Sequence, residues 1–319
     1  MANDARRGIG TLGGRIFLRV HRTRRLLSLL LIVSSACSDS SPPPEATPAP
    51  PPIPDSASAA VDTPASTWPA AYGTLIVVPA PSGEGAALIP PLAPSVSTAP
   101  VALGPIEGLD VELFSRGGLT ALGVLGAAAV PRSSCPAWPQ APVATDAPWR
   151  VGLGRDIATS IPLDSIEGLP PSDSLRLAIT VARLASRTPG DSVERFAGLP
   201  YVVRSAWRGV LPDGPQLLIA IVARTVAVED DPAAEQLLLL AESAPTGAAP
   251  RLVYSERRWG REASVDIDDV LALVRFSATG AVGVLVERAD ARGPMLLLLE
   301  RASATSGWSL RWQGPRAGC

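Results

Sequence analysis

Enzyme chemistry needs nucleophilic, titratable or metal-ligating side chains within reach of one another, and this chain lacks several kinds. Its basic set is Arg alone, with no Lys, and its one histidine is His21. His21 falls within the N-terminal basic stretch that precedes an apolar run. What remains cannot assemble a Ser-His-Asp or Cys-His triad, a His-ligated metal site, a Schiff base or a Walker A Lys. Two acidic clusters are left, Glu229-Asp230-Asp231 and Asp266-Ile267-Asp268-Asp269. Carboxylates this close can hold calcium or act as an acid/base pair. Neither follows the EF-hand order, and turn acids with an N-cap are the simpler reading. No catalytic residue, metal ligand or cofactor is therefore assigned. Seven Trp against four Phe and three Tyr invite a sugar-stacking role. Trp308, Leu310 and Trp312 are expected on one strand face with Ser309 and Arg311 on the other, and such a face is usually core. Trp68, Trp138 and Trp149 lie in Pro-rich segments and are freer to be exposed. Gly152-Leu-Gly154 lacks the third Gly and the helix of a dinucleotide fingerprint.

The N-terminus speaks to compartment. Arg15, Arg19, His21, Arg22, Arg24 and Arg25 precede an apolar run from Leu26 to Ala36, and Cys37 follows. The run is too short for the about 20 residues a membrane span needs, but it fits the apolar region of a signal peptide. Its end, Val33-Ser34-Ser35-Ala36-Cys37, resembles a bacterial lipoprotein lipobox, with Ser34 where the pattern prefers Leu. The resemblance implies removal of residues 1–36 and a lipid on the Cys37 thiol; ordinary secretion with cleavage near Ala36 is the alternative. Ser38 rather than Asp after the Cys implies the outer membrane of a Gram-negative envelope, reached through the anchor. Residues 38–66 hold nine Pro, no aromatic residue and no Arg, the composition of a disordered tether. The expected organisation is thus a signal peptide over 1–36, a lipidated Cys and tether over 37–66, an N-terminal β segment over 67–130 and an α+β domain over 131–319.

Without residues 1–36 the chain keeps 21 Arg against 29 acids, a net charge of −8. That balance argues against a nucleic-acid partner and against a polybasic second membrane contact. Export also bears on the other cysteines. With Cys37 lipidated, Cys135 and Cys319 are left as a pair, most simply a disulfide; two unpaired thiols are the alternative. The Arg-only basic set and near absence of Asn resemble exported proteins of high-GC bacteria, a likeness that carries over no activity and no site residue.

The elements that must position these residues are mostly strands. Leu75–Val78 and Ala86–Ile89 are short apolar runs ended by Pro79 and Pro90, and Asp110–Arg116, Gly117-Gly118 and Leu119–Val124 spell a hairpin. Trp149–Gly154 is a further strand. Eight strand-length runs follow at Tyr201–Val210, Leu217–Val226, Leu237–Glu242, Leu252–Glu256, Leu271–Phe276, Val282–Glu287, Met295–Glu300 and Trp308–Trp312. The two Leu-Leu-Leu-Leu runs lie 59 residues apart, so a four-strand unit can occur twice. One amphipathic helix is expected over 172–187, with Arg176, Thr180, Arg183 and Arg187 as its polar stripe and Leu175, Ile179, Val181, Ala182, Leu184 and Ala185 buried. A shorter helix is expected over 191–197. The fold class is mainly β, α+β, built of antiparallel meanders. Three functions follow: a non-enzymatic envelope lipoprotein serving structure or protein contacts, a glycan or small-ligand binding module, and a carboxylate-dependent hydrolase with two acids across a cleft.

Overall fold

The computed structural model describes residues 73–80, 85–89, 106–132, 137–188, 193–227, 232–244 and 248–317. Cys37, Cys135, Cys319, Trp68 and the Glu229-Asp230-Asp231 cluster lie outside them. In the described residues three antiparallel sheets are joined by a single α-helix. The first sheet takes β1 (Ile76–Pro79), β2 (Ala86–Ile89), β3 (Asp110–Ser115), β4 (Gly118–Val124), β5 (Gln140–Ala141) and β6 (Val151–Gly154) in the order β4-β3-β6-β1-β2-β5. It draws on both sides of residue 131.

The chain then passes through β7 (Ala158–Ile161), β8 (Asp164–Ser165) and α1 (Pro171–Ser186) into two meanders. β9 (Val202–Val210), β10 (Gln216–Val226), β11 (Ala233–Ser243) and β12 (Arg251–Arg261) form one; β13 (Ile267–Phe276), β14 (Val282–Asp290), β15 (Gly293–Arg301) and β16 (Trp308–Gln313) form the other. β8 is added beside β9 and β7 beside β13, so each meander gains one edge strand from the same short connection. The repeat is real in the pairing. Both third-to-fourth strand pairs carry a bulge, Leu240 facing Tyr254 with Ala241 facing Leu252, and Leu298 facing Trp312 with Leu299 facing Leu310. Matching the bulges sets Glu242 against Glu300, one residue off the alignment of the Leu runs.

The sheets stack. Ile76, Val78, Phe114 and Leu153 of the first sheet pack on Val274, Phe276, Leu296 and Leu298 of the β13–β16 sheet, which lies in the middle. The opposite face of that middle sheet, with Leu273, Val284, Leu297 and Leu299, meets Trp207, Ile219 and Leu238 of the third sheet. Leu218, Ala220, Leu237 and Leu239 on the far face of the third sheet take α1 through Val181 and Ala185. Both meanders are therefore covered on two faces. This explains the continuous apolar runs, since alternation survives only where one face meets water.

The helix differs in detail from expectation. Pro171 at its first turn fixes the start one residue early, and Pro170 gives no side-chain cap. Leu175 and Ile179 are exposed, because the face that meets the sheet is Leu177, Ala178, Val181, Leu184 and Ala185. Over the expected second helix the described residues hold only a 3-10 turn, Glu194–Phe196.

Candidate binding cleft

A cleft opens where the first and middle sheets part, at the ends of β1, β13, β15 and β16. Its volume is about 590 Å³. Its floor is Ile157, Phe276, Leu298 and Trp312, and its rim carries Thr74, Asp156, Ser277, Thr279, Glu300 and Arg311. Two turns meet at its mouth, where the Ser277 N–H donates to the Ile157 carbonyl at 2.9 Å.

Each ring of the floor rests on a glycine. A Cβ at Gly283 would come within 2.8 Å of the Phe276 ring, and one at Gly314 within 2.7 Å of the Trp312 ring. Neither glycine can be replaced without moving an aromatic wall. Trp312 reaches the cleft because of the bulge in β16, which leaves Arg311 without a partner opposite and reverses the alternation. Here the structure corrects the sequence reading. Trp308 lies in the core with the third sheet, Trp312 faces the first sheet, and Leu310 is exposed. Arg311 and Trp312 line the cleft together.

The rim is polar and unevenly paired. Arg311 Nε stands 3.9 Å from Glu300 Oε1, an exposed and therefore weak pair. Asp156 has a positive φ of 60°, a left-handed conformation uncommon outside glycine, and makes no ion pair among the described residues. Its N–H donates to the carboxyl of Glu112. Burial of that carboxyl, with the charge of Asp156 beside it, raises the Glu112 pKa above the usual carboxylate range. A flat apolar floor ringed by hydroxyls, two carboxylates and a guanidinium can seat a ring with one apolar face and polar groups around its edge.

The second acidic cluster is not a set of turn acids. Asp268 and Asp269 lie within β13, so their side chains enter opposite inter-sheet spaces. Asp268, with a fully buried side chain, accepts from Arg258 and from Arg288 Nε at 2.9 Å. Arg288 also forks onto Glu256 at 2.7 and 3.0 Å, and Arg258 reaches Asp266 at 3.2 Å. Asp269 takes Arg116 and, at 2.7 Å, Arg150. Arg116 also donates to the Val270 carbonyl and stacks on Trp207, 4.8 Å from its ring centre. The carboxylate pair a hydrolase would need is thus committed to ion pairing at Asp268. Facing Asp269 across β13 and β14 is Glu287, whose pKa is raised by burial and by Asp269 against the pull of Arg150.

Two charge clusters escaped the sequence reading. Glu235, fully buried, accepts from Tyr201 and Arg224 and, at 3.2 Å, from Arg257. Burial and the bond to Glu235 push the Tyr201 hydroxyl up to about 12. Arg301 bridges Asp213 and Glu242, and Trp308 Nε1 donates to Glu242 at 2.6 Å. The one available signal was a charge inside an apolar strand, Arg224 in β10 and Glu235 directly opposite it in β11. Gly152 belongs to the core and not to a nucleotide site, since a Cβ there would meet the Val77 side chain at 2.6 Å. Trp138, freer to be exposed by its Pro-rich surroundings, is buried and donates from Nε1 to the Pro315 carbonyl at 3.0 Å.

Among the described residues no three His, Cys, Asp or Glu side chains cluster as a metal site, and no helix is long and apolar enough to cross a membrane. No family model, curated protein or solved structure matches the chain.

Proposed function

We propose that this is a cell-envelope lipoprotein, held through Cys37 and its tether, whose folded part is a binding module for a glycan ring. The observation that supports the binding reading best is the cleft floored by Trp312 and Phe276 and rimmed by Asp156, Glu300 and Arg311. The partly exposed Trp312 ring suits the apolar face of a pyranose, the buried Phe276 backs the floor, and the rim suits the sugar hydroxyls. A net charge of −8 after loss of residues 1–36 favours a neutral or weakly cationic ligand over nucleic acid. Binding to the full chain is tested by calorimetry with neutral N-acetylglucosamine oligomers as the glycan fragments. Trp312→Ala should weaken binding about tenfold or more, a loss of about 1.4 kcal/mol. Saturable binding unchanged in Trp312→Ala, or no binding to any fragment, would reject the site.

The anchor is tested separately. Mass spectrometry of the native protein should find an N-terminus at Cys37 bearing acyl chains, and Cys37→Ser should retain residues 1–36. A mature chain that begins at Cys37 without lipid rejects anchoring and leaves the cleft untouched. We also propose a disulfide between Cys135 and Cys319. Support comes from their neighbours, since Trp138 and Pro315 are in contact.

A further inference from the structure

The rim of the cleft carries more acid than base. Its ionisable groups are Asp156, Glu300 and Arg311. Arg311 stands 3.9 Å from Glu300, so the single guanidinium of the rim already has a carboxylate beside it. Arg155 precedes Asp156 in the chain but serves another acid. Its guanidinium lies 3.1 Å from the Asp110 carboxylate, and its N–H donates to the Asp110 carbonyl at 3.1 Å. Asp156 thus lines the cleft as an exposed acid with no ion-pair partner among the described residues.

Its place in the backbone is costly for a residue with a side chain. The turn is closed by the Ile157 N–H, which donates to the Gly154 carbonyl at 3.2 Å, and Asp156 takes a φ of 60° within it. Glycine would relieve that conformation, and a turn serving structure alone gains nothing from a carboxylate there. Behind Asp156 lies Glu112, whose carboxyl is raised above the usual range first by burial and then by the Asp156 charge. This corner of the cleft therefore opposes further negative charge and favours a cation.

We propose that the cleft selects a sugar ring bearing a protonated amine, a hexosamine without its acetyl group, with Trp312 under the apolar face and Asp156 accepting from the ammonium; this rests on the glycan reading above. A neutral N-acetyl sugar stacks on Trp312 but leaves Asp156 without a counter-charge. A sugar acid meets two carboxylates against one guanidinium. Because Asp156 is exposed, solvent screens the ammonium, and the preference is modest, about fivefold.

Calorimetry of the full chain at about pH 6, where a sugar amine is protonated, compares the glucosamine trimer with the N-acetylglucosamine trimer. The wild type should bind the amine trimer about fivefold more tightly, and added salt should weaken that trimer more than the neutral one. Asp156→Asn, which a positive φ tolerates, should bring the two affinities within about twofold. Arg311→Gln removes the cation of the rim and should widen the difference, a change of sign that a damaged fold would not produce. Asp164→Asn, on β8 and outside the cleft, should leave the preference as in the wild type, which separates Asp156 from the general negative charge of the chain. Equal wild-type affinity for the two trimers, both weakened in Trp312→Ala, overturns the amine preference and leaves the glycan reading standing. A preference that survives Asp156→Asn, that Arg311→Gln narrows, or that Asp164→Asn removes also overturns it. Binding of neither trimer rejects the glycan reading, and the amine preference with it.

Discussion

Asp269 and Glu287 are neighbours across β13 and β14, yet their surroundings treat them differently. Asp269 holds two guanidiniums, while Glu287 is half-buried and lifted above the usual carboxylate range by burial and by the Asp269 charge. A carboxyl whose folded pKa is raised contributes stability at pH below its unfolded value, about 4.3, and loses it as pH climbs through the folded value. Glu287→Gln removes that loss. The variant should melt at most about 2 °C above wild type at pH 7, with the difference vanishing below about pH 4. Thermal melts at both values check this, and a variant less stable at pH 7 would mean that Arg150 stabilises the ionised form. Asp290 has the opposite sign. The hydrogen bonds from Arg292, with Arg316 nearby, draw it down to about 2, so its contribution is present above its unfolded value and fades as acid approaches pH 2.

At the scale of elements, β13 is the strand on which the stack depends. A bulge at Leu271 turns Leu271 and Ala272 to the first sheet, while Val270 and Leu273 face the third. Asp268 adds a buried charge between Arg258 of the third sheet and Arg288 of its own. Asp268→Asn leaves those guanidiniums with Asp266 and Glu256 only, at the one position of the network whose side chain is fully screened from solvent. Breaking a buried pair from one side costs about 3–5 kcal/mol, and with partners remaining the loss should sit near about 3 kcal/mol in urea unfolding. A loss under about 0.5 kcal/mol would place the network in contact with solvent. This strand also marks where sequence reading runs out. All eight late strands and the hairpin were legible, because apolar runs between turn residues need no partner to be recognised. The networks were not. Bulges at Leu271 and Arg311 decide which face each side chain takes, and a bulge is set by the pairing and not by local composition. Trp312 read as core for the same reason, and the cleft it floors is made of residues from five separate segments.

At the scale of the molecule, residues 314–317 beyond β16 are tied firmly to the middle sheet. Beyond β16 the Gly314 N–H donates to the Leu296 carbonyl at 2.8 Å and the Ala317 N–H to the Pro294 carbonyl at 2.9 Å. Arg316 reaches both Asp290 and the Gly293 carbonyl at 2.6 Å, and Trp138 closes on Pro315 from the other side. A Cys135–Cys319 bond would therefore add little to native contacts, and its effect would fall on the unfolded chain. The loop it closes runs over most of the folded part, and the loop-entropy relation gives about 5 kcal/mol, with less in practice where strain intervenes. At about 2–4 °C per kcal/mol for a chain of this order, Cys135→Ser should lower the melting temperature by about 10 °C. Exchange over β16 in the native state should change much less, because its hydrogen bonds do not pass through the cysteines. Alkylation of the unfolded but unreduced protein decides whether the bond exists at all. Cys135 and Cys319 should resist labelling until a reductant is added, and labelling of both beforehand would remove the disulfide and leave residues 314–317 held by the contacts of Gly314, Pro315, Arg316 and Ala317.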